Sequence, residues 1–165
     1  GKSESAPASA PAIIDGDLNS SASATTGATA REQWFAVGFA RPLEIRRVAF
    51  VHGYNLTQRG WFDTSAGKPV VQVQRQAGGP WEKIGELADY PATTATDGTA
   101  FKRAEKGQLD VTTGDIERVT QAQTFTLALS RPETAVGVRV VGMPSSGAKP
   151  DAHALSCAEL QVFVR

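Results

Sequence analysis

The chain has 165 residues, with 17 Lys+Arg balanced by 17 Asp+Glu and 41% hydrophobic content. That length suits one domain, and the apolar fraction is enough for a packed core, which excludes a disordered tail. Zero net charge argues against a sequence-independent nucleic-acid binder, which needs positive charge to displace counterions. It argues equally against a polybasic membrane-surface module. No apolar run approaches the roughly 18 residues that a spanning helix needs. With 16 glycines and 9 prolines, the composition favours a turn-rich fold. A single cysteine, Cys157, forbids an internal disulfide and leaves the compartment open.

In chain order, residues 1–11 (GKSESAPASAP) have the small, polar, proline-punctuated composition of a linker or a disordered tail. The rest, 12–165, reads as a single domain. Short runs with period-2 alternation follow, separated by turn residues. They are 34–39 (WFAVGF), 45–51 (IRRVAFV) after a turn at Arg41-Pro42, 70–76 (VVQVQRQ), and 81–87 (WEKIGEL) after the turn Ala77-Gly-Gly-Pro80. Later come 124–129 (TFTLAL), 136–141 (VGVRVV) and 158–164 (AELQVFV). Phe125, Leu127 and Leu129 are expected on one face, as are Val136, Val138 and Val140, and Leu160, Val162 and Val164. Such alternation predicts half-buried antiparallel strands. Only Ile116 and Val119 are spaced for a short helical turn. The expected fold is all-β, an antiparallel β-sandwich. The stretch 91–123 is an unusually long loop insert.

Four groups of residues could carry chemistry. Asp15-Gly-Asp17-Leu-Asn19-Ser20 places carboxylate, amide and hydroxyl oxygens in one tight loop, as a hard cation requires. The EF-hand pattern fails there, because Ser20 stands at its glycine position and Thr26 at its glutamate position. The alternative is an Asp-rich turn bonded to its own backbone. His52 and His153 have no ligand spacing around them, and Cys157 opens a core strand, so neither zinc nor a catalytic triad is expected. The segment from His52 to Asp63 (HGYNLTQRGWFD) is an interstrand loop dense in aromatic and hydrogen-bonding groups. Exposed aromatic faces suit the C–H face of a sugar, and placed polar groups read its hydroxyls. The alternative has Trp61 and Phe62 plugging the end of the core. Finally, Glu159 falls on the outward face of the last strand.

The order of these segments resembles the discoidin, or coagulation factor V/VIII C-type, domain. Within it, the chain is most like the bacterial family 32 carbohydrate-binding modules. Ala12-Ile-Ile-Asp15-Gly-Asp17 resembles the opening "A-x-D-G-D/N" loop. Trp34-Phe35 through Ile45-Arg-Arg-Val48 resembles the "W-W-x-V-D-L-G-x-P-x-x-I-x-x-V" segment, with Gly38 in place of its Asp. Val71-Gln-Val73 through Trp81-Glu-Lys-Ile84-Gly85 resembles the strand, turn and strand around "S-x-D-G-x-x-W". Val138-Arg-Val140 resembles "Y-V-R-I", and Ala158-Glu159-Leu160-Gln-Val162-Phe163 the closing "A-E-L-E-V-F". The match spans residues 12–164 apart from the insert.

This resemblance implies a galactose-binding-domain-like jelly roll and a structural calcium ion between the opening loop and the closing strand. Carried over by position, Asp15, Asp17, Ser20 and Glu159 would be its side-chain ligands, with carbonyls near Ala12, Ser20 and Ala158. It also implies a non-catalytic carbohydrate-binding module, detached from a secreted glycan-active enzyme such as a glycoside hydrolase or polysaccharide lyase. Such a module is expected as a secreted monomer, extracellular or in the periplasm or at the cell surface. Its ligand would be a terminal or short glycan. Trp61 or Tyr54 would stack on the sugar, and His52, Asn55, Arg59 and Asp63 would read hydroxyls, with Tyr90 and His153 as further walls. A protein-interaction or purely structural module on the same sandwich is the rival reading. A broad apolar patch in place of a small polar-toothed hollow would distinguish it.

Overall fold

The structure, a computed structural model, describes residues 10–18, 20–53, 59–101 and 123–164. A 3-10 turn, Ala10–Ile13, precedes β1 (Ala22–Thr26), β2 (Gln33–Val51), β3 (Phe62–Asp63), β4 (Val70–Gln74) and β5 (Trp81–Glu86). A second 3-10 turn, Thr99–Phe101, precedes β6 (Thr124–Pro144), β7 (His153–Cys157) and β8 (Glu159–Val164). One sheet runs β5-β4-β6-β2-β8, with β3 added on β6; the other is the pair β1-β7. All these ladders are antiparallel. The fold is the expected antiparallel β-sandwich.

The alternation fixes the inner faces. Phe35, Ile45, Val48, Phe50, Val71, Val73, Val138 and Val140 form the centre of one buried cluster. The β4–β5 hairpin forms where expected, and its turn needs Gly78, whose φ of 75° is left-handed backbone that costs glycine little.

Two expected breaks are bulges. Strand β2 runs through Arg41-Pro42, and β6 runs through Arg131-Pro132. The register shifts between Gly38 and Leu43, so four β2 residues oppose only Val136 of β6. It shifts back between Ile45 and Arg47, where four β6 residues oppose only Arg46. Proline cannot donate to a ladder, so each sits in the extruded part of its strand. The first bulge also corrects a face: Ala135 takes the buried position while Val136 is only half-buried. At the chain end, Leu160 and Val162 pack on the core, but Val164 is 47% exposed.

Strands β1 and β7 were not expected, because ASATT and HALSC carry little apolar alternation. Of the insert, 91–101 is described and ends with Phe101 in the core. Residues 102–122 of it, including Ile116 and Val119, lie outside the described residues, as do residues 1–9; Ala10 and Pro11 already belong to the first turn.

Candidate functional site

The opening loop meets the closing strand through oxygen atoms. Gly16 has a φ of 76°, and its N–H donates to Glu159 Oε1 at 2.7 Å. The Asp17 N–H donates to Asp15 Oδ1 at 2.8 Å, and the Ser20 N–H to the Asp17 carbonyl at 3.1 Å. These bonds close the loop on itself. The Ser20 hydroxyl then lies 2.7 Å from Asp15 Oδ2, 3.0 Å from the Asp17 carbonyl and 3.3 Å from the Ala12 carbonyl. A hydroxyl has one hydrogen to donate, so three acceptors around it form an oxygen-rich knot that hydrogen bonds alone leave partly unsatisfied.

Glu159 opens β8 opposite Val51 and is only 3% exposed, so it is no surface carboxylate. Ala158, also buried, spends its N–H on the Val51 carbonyl and hands the chain from β7 to β8. Burial pushes the Glu159 carboxyl above its ordinary range, and the charges of Asp15 and Asp17 push the same way. Asp15 is pulled down, chiefly by the Ser20 hydroxyl and then by the Asp17 N–H. The donors are all oxygens: two carboxylates, a hydroxyl and backbone carbonyls. That chemistry fits a hard cation such as calcium. Asp17 contributes its carbonyl and its charge, and among the described residues no three His, Cys, Asp or Glu side chains are grouped around one metal position. Asn19 lies outside the described residues.

The residues expected to read sugar divide sharply. His52 is fully buried, with the rings of Phe50, Phe62, Tyr90, Phe101 and Phe125 all within 6.1 Å of its own. Its Nδ1 lies 2.8 Å from the Ser156 carbonyl, which can only accept, so Nδ1 carries the hydrogen. Its Nε2 therefore accepts from the Tyr90 hydroxyl at 2.6 Å, and that hydroxyl accepts from the Phe62 N–H at 2.8 Å. Every polar atom of the relay is satisfied, and burial lowers the His52 pKa to about 4. His52 and Tyr90 are thus a core relay and not sugar contacts.

Trp61 is 3% exposed. Its indole N–H donates to the Thr94 carbonyl at 2.8 Å, and the backbone of Gly98 lies against the ring. The indole plugs the end of the core and offers no open face to stack on. Asp63 is half-buried, and its Oδ1 caps a local turn by accepting from the N–H and hydroxyl of Ser65.

Arg59 reaches the residue before His153 at one end of the sandwich, and His153 is itself largely buried. Arg59 donates to the Ala152 carbonyl at 2.8 Å, and His153 Nδ1 lies 3.1 Å from the Gly27 carbonyl. Ser145, which the sequence analysis did not single out, holds this end together. Its hydroxyl accepts from the N–H groups of Gly60 and Trp61, at 2.8 and 3.1 Å. Tyr54 and Asn55 lie outside the described residues. Cys157 is buried and its thiol is pushed well up by desolvation, so it is no nucleophile.

No protein-family model matches the chain. No curated protein matches it either. Solved structures do. One is the family 32 carbohydrate-binding module of Clostridium perfringens NanJ in complex with galactose, with a TM-score of 0.55, 15% identity, and coverage of 92% of this chain and 81% of that one. Another is CBM32-3 from a family 31 glycoside hydrolase of the same organism, with a TM-score of 0.60, 12% identity, and coverage of 98% and 87%. A third is CBM32-5 of C. perfringens CpGH89 in complex with GalNAc-β-1,3-galactose, with a TM-score of 0.54, 19% identity, and coverage of 93% and 81%. With eight antiparallel strands among the described residues and its opening loop tied to its closing strand, the chain has the discoidin-like fold of the family 32 carbohydrate-binding modules.

Proposed function

We propose that this domain is a non-catalytic carbohydrate-binding module. It holds a terminal or short galactose-type glycan at the loop end that carries Arg59 and His153. The observation behind this is that Arg59, expected to read hydroxyls, reaches the carbonyl of Ala152 beside His153, expected as a wall of the site, on a fold whose neighbours were solved with galactose and with GalNAc-β-1,3-galactose. With Trp61 in the core, Tyr54 is the residue left to stack on the sugar, and Asn55 the neighbour to read hydroxyls. Arg59 has a fork of five donors, of which the Ala152 bond uses one direction.

Calcium belongs to the same reading. Asp15, Ser20 and Glu159, with the carbonyls of Ala12 and Asp17 and a nearby carbonyl of Ala158, would hold it. Bound, it would supply positive charge that keeps Asp15 and Glu159 ionised together and joins the chain ends. It takes no part in sugar chemistry.

In the full-length protein the module would sit outside the cell beside a glycan-active enzyme and raise that enzyme's local concentration on its substrate. A shallow site for a heavily solvated sugar gives modest affinity.

A glycan array with calcium present, run beside Tyr54→Ala and Arg59→Ala, tests this reading. Galactose-terminated glycans should bind the wild type and lose signal with either variant. Binding untouched by both variants would move the site, and no signal from a folded sample would end the reading.

A further inference from the structure

Strand β8 ends the larger sheet and is paired with β2 alone among the described residues. The opposite edge, β5, is blunted by charge: Arg75 bonds Glu82 at 2.9 Å, and Lys83 is paired with Glu86. Charged side chains on an edge keep other strands from pairing with it. From Leu160 to Val164 the β8 edge carries neither charge nor proline.

The large apolar side chains left exposed among the described residues are Ile14 at 58%, Phe163 at 36% and Val164 at 47%. All stand along this strand. Phe163 and Val164 end β8, and Ile14 precedes Asp15-Gly16, whose glycine N–H is bonded to Glu159 at the start of β8. Arg47 lies across from Phe163 with its guanidinium carbon 3.8 Å from the ring centre, which steadies the ring without hiding it. Charge divides along the same edge. The end at the opening loop is acidic, with Asp15, Asp17 and Glu159, and three carboxylates leave it negative even against a divalent cation. The other end is basic: Arg46 and Arg47, both exposed, outnumber Glu44 there, and neither is in a salt bridge among the described residues.

We propose that this edge pairs with the same edge of a second copy, antiparallel about a two-fold axis at Val162, in place of the monomer expected from the resemblance. Opposite residues of an antiparallel pair share a face. That axis therefore sets Phe163 of one copy across from Gln161 of the other. It brings Val164 to Leu160 of the second copy, at the end where Ile14 stands. The same rotation lays Arg46 and Arg47 toward Asp15 and Asp17 of the second copy. A parallel pairing would set like charge on like. The apolar and charged features of this edge thus complement their own reverse, as an isologous contact requires, and this self-complementarity decides the occupant. One strand edge with three apolar side chains is small beside the roughly 1,200 Å² of a stable interface, so the dimer is weak. Its consequence rests on the glycan reading: two modest sugar sites on one particle gain by avidity on a surface that displays many glycans.

The experiment is sedimentation velocity of the whole domain from about 1 μM to about 1 mM, the range in which weak contacts saturate. The mass should rise from that of one chain toward that of two. Val164→Lys and Arg46→Glu should each weaken association about tenfold or more. Both residues are exposed, so neither change disturbs the core. Backbone amide signals of Ile14, Gln161 and Phe163 in the wild type should move with concentration, which keeps the test valid if a variant misfolds. No sugar is used, so the dimer and the loop-end reading fail separately. A single-chain mass at every concentration would overturn the proposal and leave the edge to a peptide strand of another protein. Association that both variants retain, or concentration shifts elsewhere with these amides still, would overturn it as well.

Discussion

The N–H of Gly16 donates to Glu159 Oε1 at 2.7 Å, joining residues 143 positions apart. That bond carries the opening loop onto the last strand, and it is the reason a carboxylate is buried there with Asp15 beside it.

Calcium should therefore stabilise the fold. At a hundredfold excess over its dissociation constant a ligand adds about 2.7 kcal/mol, which is several degrees of Tm for a domain of this size. Chelation should remove the gain, and Glu159→Gln or Asp15→Asn should abolish it. Differential scanning calorimetry with and without EDTA reads this directly.

The His52 relay sets an acid limit. Its pKa of about 4 in the folded state lies below the ordinary 6.5. The unfolded chain therefore takes up a proton first as pH falls. Stability from this group is complete above pH 6.5 and is lost between there and about pH 4, amounting to about 3 kcal/mol. His52→Ala should cost about 3 kcal/mol at pH 7, through the cavity and the stranded Tyr90 and Ser156 groups, and should flatten that part of the pH profile. Urea melts from pH 4 to 7 give both numbers.

Close packing at two glycines should be equally visible. A Cβ on Gly98 would stand 2.8 Å from the Trp61 indole, and one on Gly142 would stand 2.4 Å from Phe62. Gly98→Ala and Gly142→Ala should each cost about 1–3 kcal/mol. Gly98→Ala should also shift Trp61 fluorescence to the red as the ring is pushed toward water.

Cys157 should be silent while the domain is folded. It is fully buried in β7, and its thiol is pushed well up. A thiol reagent should label it only at the rate of unfolding, so native labelling that matches free cysteine would contradict this placement.

The strands with strong alternation were legible because period 2 reports burial directly; Val71, Val73, Phe125 and Leu160 are all where the pattern puts them. Strands β1 and β7 were not, because Ala, Ser and Thr gain their place from pairing with each other, Ala22 with Cys157 through Thr26 with His153. The bulges were hidden because an Arg-Pro pair looks the same in a turn and in an extruded strand segment. At the site, sequence order linked Asp15 to Glu159 through the family resemblance. Composition could not separate Trp61 and His52, which face the core, from Arg59, which does not. Aromatic density in a loop reads alike whether the rings point in or out, and only the Thr94 carbonyl and Gly98 decide it for Trp61.

The central claim is tested most directly by titrating the isotope-labelled domain with galactose and with GalNAc-β-1,3-galactose in calcium. The account predicts saturable shifts confined to the loop end, at Gly27, Arg59, Ala152 and His153, and their loss in Arg59→Ala. A folded domain whose spectrum is unmoved by either sugar, or moved equally in that variant, would contradict it.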